Sequence, residues 1–172
     1  MSDNPYAPPS AELEVPANPD GVELASRGKR LLAAIIDAAI MLAIQVPVLI
    51  AIGFYEGMAE GREPGILTIL GASLGGLLVY MLINGYFLAK RGQTLGKMAT
   101  KIQIVGIQDD RIIPLGRLVG LRIIPVWVVS VIPVIGSFIP LVDALFIFRK
   151  DRRCVHDLIA GTHVIDYQAE AA

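Results

Sequence analysis

The chain is dominated by three long apolar stretches, which are separated by polar segments. Residues 31–54 form the first stretch, in which Asp37 is the only charged residue, and residues 66–89 form an uncharged second stretch. About 20 helical residues are enough to cross a hydrocarbon core roughly 30 Å thick. The pattern therefore predicts a mainly α, polytopic membrane protein with two full transmembrane helices.

The third apolar stretch, residues 118–148, is too long for one untilted crossing and too short for two full ones. Pro125, Pro133 and Pro140 offer bend points along it. We expect a Pro-bent helical hairpin with helices at about 118–131 and 138–148. A re-entrant hairpin is the alternative.

Polar and apolar residues alternate at 101–107, which is typical of a half-exposed strand. A turn at 108–110 would allow residues 111–114 to return beside it, and residues 162–165 provide another candidate strand. The pattern predicts a small cytoplasmic β-ribbon attached to the helical membrane domain.

The basic residues predict the orientation of the chain. Thirteen of the 15 lysines and arginines lie in segments 27–30, 90–117 and 149–153, whereas the acidic loop at 55–65 holds only Arg62. Because positive residues favour the cytoplasmic side, both termini are predicted to be cytoplasmic.

Composition limits the remaining function classes. The chain has 172 residues, of which 54% are hydrophobic, and its net charge of −1 argues against a nucleic-acid binder. Cys154 is the single cysteine, and the two histidines show no ligand spacing, so we expect no metal, no cofactor and no enzyme. Proline-rich residues 1–25 are predicted to be a disordered tail, residues 26–167 the membrane domain, and residues 168–172 a C-terminal tail.

Buried charges are the candidate chemistry. A carboxylate such as that of Asp37 costs roughly 2.5–3.5 kcal/mol inside a membrane, so it needs a partner, a proton or a function. Arg30 lies seven residues earlier on the same face, and Asp143 lies in the third stretch. We expect a small proton/monovalent-cation exchanger that uses Arg30, Asp37 and Asp143, with Gln45 and Asn84 as secondary polar contacts.

The alternative is a membrane adaptor or scaffold whose buried charges are structural. In that case Asp143 would pair with Arg122 across the hairpin and only fix its register. Gly71 and Gly75 form a small-residue face that would allow a homo-oligomer.

Three motifs occur in a fixed order at residues 30–37, 92–97 and 152–162. Together they resemble the RDD family of bacterial membrane proteins, over about residues 23–167. The resemblance implies a bacterial inner-membrane location and identifies Arg30 and Asp37 with the family's arginine and first aspartate. Asp143 and Asp157 both compete for the second aspartate, and cation–proton exchange has been proposed for some members. The residues assigned to structure or to the family motif are Gly92, Gln93, Thr94, Gly96, Lys97, Arg122, Arg153, His156, Asp157, Gly161 and Thr162.

Overall fold

The computed structural model describes residues 22–59, 61–132 and 135–167. The predicted C-terminal tail and most of the predicted N-terminal tail lie outside the described residues, as does Pro133, one of the predicted bend points.

Two long helices, α1 (Arg27–Ala51) and α3 (Ile66–Arg91), form the apolar part of the fold, with a short helix α2 (Glu56–Ala59) between them. Helix α1 begins before its apolar stretch because the side chain of Ser26 accepts a hydrogen bond from the backbone N–H of Lys29 at 3.2 Å. It ends before residue 54, just ahead of Gly53, which has a φ of +71°.

Both long helices leave their apolar side chains uncovered by the rest of the protein. Leu67 and Leu82 of α3 are 82% and 75% exposed, and Leu42 of α1 is 61% exposed. Such a large apolar surface is rare on soluble proteins, but it suits helices that face lipid. Both helices are long and apolar enough to cross a membrane.

The third apolar stretch forms two packed helical segments. The first segment is continuous from α5 (Leu115–Leu118) through a π-helical turn (Val119–Ile123) into α6 (Ile124–Ser130). The second is α7 (Ile135–Leu145), which ends in a 3₁₀ turn (Phe146–Phe148) and packs against α6.

The first segment owes its start and its π-helical turn to two prolines. Pro114 stands at the N-cap of α5, so the helix begins three residues earlier than predicted. Pro125 lacks an N–H and crowds the carbonyl four residues earlier, and the backbone N–H of Ile124 instead bonds the carbonyl of Val119. The π-helical turn therefore accommodates a proline without ending the helix.

A two-stranded antiparallel sheet pairs β1 (Ile102–Gly106) with β2 (Thr162–Asp166). Residues 111–114 return beside β1 at a single point, where the backbone N–H of Gly106 donates to the carbonyl of Arg111 at 2.9 Å, and they do not form the predicted strand. Strand β2 takes one edge, and at the other the backbone N–H of Ile104 donates to the carbonyl of Gly92 at 2.8 Å. The predicted fold class is confirmed: a mainly helical protein with two long apolar helices and a small β-ribbon.

Two short helices, α4 (Leu95–Ala99) and α8 (Val155–Ala160), lie next to the sheet. We call α4, α8, the sheet and the adjoining ends of α1 and α3 the basal layer. Most of the buried core lies here and includes Leu118 of the neighbouring α5; its other members are Ala25, Ala33, Leu88, Ile102, Ile104 and Val164. The fold therefore combines an uncovered apolar part with a well-packed basal layer.

Gly92 joins α3 to the basal layer in a conformation that other residues disfavour. Its φ is +59°, and a Cβ would lie 2.4 Å from the carbonyl oxygen of Ile104. We predict that Gly92→Ala lowers the free energy of unfolding by at least about 1 kcal/mol, measured by denaturation in detergent. Gly28→Ala is the matched control, since a Cβ there meets nothing within 4 Å and should not destabilise the helix. Equal stability of the two variants would contradict this interpretation.

Candidate functional site

A buried carboxylate, that of Asp157 in α8, lies at the centre of the basal layer. Its Oδ2 accepts hydrogen bonds from Nη2 of Arg30 at 2.5 Å and from the backbone N–H of Cys154 at 3.1 Å. Its Oδ1 accepts from Nη1 of Arg122 and from the Thr162 hydroxyl, the latter at 2.9 Å. One carboxylate thus ties α1, the π-helical turn, α8 and β2 together.

The charge state of Asp157 follows from its neighbours. Burial by itself raises the pKa of Asp157, but the charges of Arg122, His156 and Arg30 oppose it and hold this pKa below its ordinary value. Asp157 is therefore ionised at neutral pH. Two guanidinium groups share its single negative charge, so this part of the site carries a net positive charge.

Arg30 and Arg122 have different partners from those expected. Arg30 was expected to balance the negative charges of Asp37 and Asp143, and Arg122 was considered as a partner of Asp143. Both arginines instead form ion pairs with Asp157. A direct pair between Arg30 and Asp37 is already excluded by the sequence, since seven helical residues separate them by about 10 Å along the axis.

Asp37 holds α4 against α1. Its Oδ2 accepts from the Thr94 hydroxyl at 2.5 Å, and its Oδ1 accepts from the backbone N–H of Gly96 at 2.7 Å. A Cβ on Gly96 would lie only 2.2 Å from the carbonyl oxygen of Ala33, so the two helices approach closely at this glycine. Both carboxylate oxygens are committed to the contact.

The rest of the 92–97 motif supports the same turn from α3 to α4. The side-chain oxygen of Asn84 accepts from the backbone N–H of Leu95 at 3.0 Å, and the Gln93 amide donates to the carbonyl of Ile102 at 2.8 Å. Asn84 therefore has a positioning contact in the basal layer.

Asp143 and His156 form a second polar pair. Oδ1 of Asp143 accepts from the backbone N–H of His156 at 3.0 Å, and Oδ2 bonds Nδ1 of its ring. Burial, and after it the charge of Arg122, lower the pKa of His156 despite the nearby carboxylates. The imidazole is therefore neutral at neutral pH and takes up a proton only in acid.

Three side chains are close enough together to be considered as metal ligands. Single ligand atoms of Asp143, Cys154 and His156 all lie within 4.8 Å of one another. However, the Cys154 sulfur accepts a 3.5 Å contact from Nη2 of Arg30, and burial raises the pKa of the thiol to about 11. The Cys154 sulfur and both oxygens of Asp143 therefore already have partners within the protein, which a metal ion would have to displace.

A cavity of about 610 Å³ opens between α1, α3, α6 and α7 and reaches the basal layer. Its lining includes two of the five ion-site candidates, Gln45 and Asp143, but not Arg30, Asp37 or Asn84. The other polar or charged side chains of the lining are those of Ser73, Tyr80, Thr94, Lys97, Arg122, Trp127, Ser130 and His156.

Lys97 has a place in this cavity that the sequence did not indicate. Within the described residues its ammonium makes no hydrogen bond or ion pair, and burial together with the charge of Arg122 lowers the pKa of Lys97 to about 8. The motif at 92–97 marked Lys97 as structural. Its cavity position depends on α4 docking against α1, which no local pattern encodes.

We predict that Asp157→Asn lowers the free energy of unfolding by about 3–5 kcal/mol, because it leaves two buried guanidinium groups without a counter-charge. Denaturation in detergent measures this loss. Asp151→Asn is the control, since its pair with Arg149 is exposed and should change stability by less than about 1 kcal/mol. Similar losses in the two variants would contradict the importance of the buried pair.

Comparisons with known proteins bear on this site. The sequence model of the RDD family matches residues 24–161. A Haemophilus influenzae protein described as uncharacterized is 28% identical over 158 residues, which cover 90% of this chain and 86% of that protein. The chain has no significant match among solved structures. The family match confirms the resemblance that the three motifs indicated.

Proposed function

This chain belongs to the RDD family of membrane proteins, and we propose that it is a small proton-coupled transporter whose solute site is the cavity above the basal layer. The observation that carries the proposal is a protonatable pair, Asp143 and His156, in the wall of a cavity between apolar helices. Ionisable side chains among membrane helices commonly mark solute and proton pathways.

The Asp143–His156 pair suits proton uptake better than Asp37 does. The His156 ring is neutral at neutral pH and already contacts a carboxylate that would stabilise its protonated form. Asp37, in contrast, does not line the cavity, and both of its oxygens accept hydrogen bonds from the α4 turn. We assign proton coupling to the pair and a positioning role to Asp37.

The charges that line the cavity make a monovalent cation a less favourable solute than the sequence alone suggested. Among the described residues that line the cavity, Lys97 and Arg122 are basic and Asp143 supplies the one carboxylate. A bound cation would be repelled by both basic groups. Proton/monovalent-cation exchange stays a candidate for the flux experiment below.

A membrane adaptor is the second candidate, and it has weaker support. Two of the bases that would recruit a partner are engaged within the chain: Nε of Arg27 donates to the carbonyl of Ile147 at 3.3 Å, and Nη1 of Arg152 donates to that of Leu24 at 3.0 Å. A homo-oligomer through Gly71 and Gly75 stays a prediction; a Cβ at either glycine would meet nothing within 4 Å.

We place the protein in the bacterial cytoplasmic membrane with both termini in the cytoplasm. The basal layer and its margins bring together bases from distant segments, among them Arg27, Arg117 and Arg152. This clustering at one end of the apolar helices supports a cytoplasmic basal layer.

Flux into liposomes tests the proposal. With the purified protein reconstituted, an imposed pH gradient should drive a change of internal pH that depends on an added solute, with Na⁺, K⁺ and inorganic phosphate tried in turn. We predict that Asp143→Asn reduces this flux to the level of protein-free liposomes, because the amide cannot ionise or stabilise a protonated His156.

Two aspartate variants serve as controls for the flux experiment. Asp151→Asn changes an exposed aspartate and should keep the full flux. Asp37→Asn should lower thermal stability but leave the flux of its folded fraction intact. Wild-type protein without solute-dependent flux, or flux that survives Asp143→Asn, would contradict the proposal.

A further inference from the structure

We propose that the cavity binds an anionic group, a phosphate or a carboxylate, between the ammonium of Lys97 and the guanidinium of Arg122. The inference rests on the proposed function in taking the cavity as the solute site, and it adds the chemical class of the solute.

Lys97 carries a charge that nothing in the described residues neutralises directly. The neighbouring carboxylates are committed elsewhere: Asp37 to the α4 turn, Asp157 to its two arginines, and Asp143 to His156. A partly buried ammonium without a counter-charge is costly, so a ligand that supplies one gains binding energy there.

Arg122 presents a second cationic group to the same cavity. Within the described residues only its Nη1 makes hydrogen bonds, to Asp157 and to the Thr162 hydroxyl at 2.7 Å. Among the described residues, Oδ1 of Asp166 is the one fully buried side-chain atom that has no hydrogen-bond partner. Nε and Nη2 of Arg122 make no hydrogen bond there, so neither atom is fully buried. A guanidinium anchored through one nitrogen keeps donors for phosphate or carboxylate oxygens.

Among the described residues, Asp143 supplies the one carboxylate of the cavity wall, and it is paired with His156. The oxygens of Asp143 each bond His156, one through the backbone N–H and the other through the ring. Protonation of the His156 ring would neutralise this pair. Binding of an anion and uptake of a proton are therefore mutually favourable in this cavity.

The cavity also has an apolar wall beyond its basic end, with Leu49, Leu77, Val126 and Trp127 among the lining residues. An anionic group held at Lys97 and Arg122 has two sources that fit this wall. It belongs either to a soluble anion or to the headgroup of an anionic lipid whose chain lies along the apolar side chains.

Trp127 gives a direct readout of binding. It is the only tryptophan of the chain, it lines the cavity, and its indole N–H donates to the carbonyl of Ser73 at 3.2 Å. Its fluorescence in the detergent-solubilised full chain should change saturably on titration with inorganic phosphate or with short-chain phosphatidylglycerol. Short-chain phosphatidylcholine, which has no net charge, is the control ligand.

We predict that Lys97→Met weakens the binding of the active ligand by roughly tenfold or more, since it removes one charge-assisted contact. Lys97→Arg should restore most of the affinity, and Lys90→Met, an exposed lysine at the end of α3, should bind as wild type does. Thermal unfolding of each variant checks that it is folded, and Lys97→Arg keeps the comparison usable if Lys97→Met is unstable.

A saturable response to phosphate indicates a soluble anion, and a response to phosphatidylglycerol alone indicates a lipid headgroup. No saturable response to either anion, an equal response to phosphatidylcholine, or unchanged affinity in Lys97→Met would overturn the inference. Anion binding without flux in liposomes would instead contradict the transport function but still support the anion site.

Discussion

The fold depends on one buried carboxylate that two arginines share. Asp157 is completely buried, and its oxygens meet Arg30 from α1, Arg122 from the π-helical turn and Thr162 from β2. Burying charges is expensive, so such a cluster contributes less to net stability than to selecting one arrangement. Here the selected arrangement fixes the first apolar helix and the hairpin relative to the basal layer.

The cavity follows from that arrangement. Arg122 reaches Asp157 from the π-helical turn before α6, and Asp143 reaches His156 from the end of α7, so the hairpin returns to the basal layer at both ends. Asp37 docks α4 against α1, which brings Lys97 to the same cavity. Structural carboxylates thus place the basic groups that we assign to solute binding.

Periodicity and composition predicted the apolar helices, the hairpin and the two strand segments, because these depend on local patterns. The observed helix starts differ from the predicted ones where a single capping residue sets the start, as Ser26 does for α1. The partners of Arg30 and Asp37 were not predictable, since they come from segments 127 and 57 residues away in the chain. Residues 111–114 form no strand because the backbone at Gly92 already occupies the middle of that edge of β1, which leaves Gly106 to bond Arg111.

A double-mutant cycle on Arg30 and Arg122 tests the shared carboxylate most directly. Each single change, Arg30→Met or Arg122→Met, leaves Asp157 with one guanidinium, whereas the double change leaves a buried charge without an arginine. The loss of unfolding free energy in the double variant should exceed the sum of the single losses by at least about 1 kcal/mol. Losses that add to within about 0.5 kcal/mol would show two independent arginines and contradict this account.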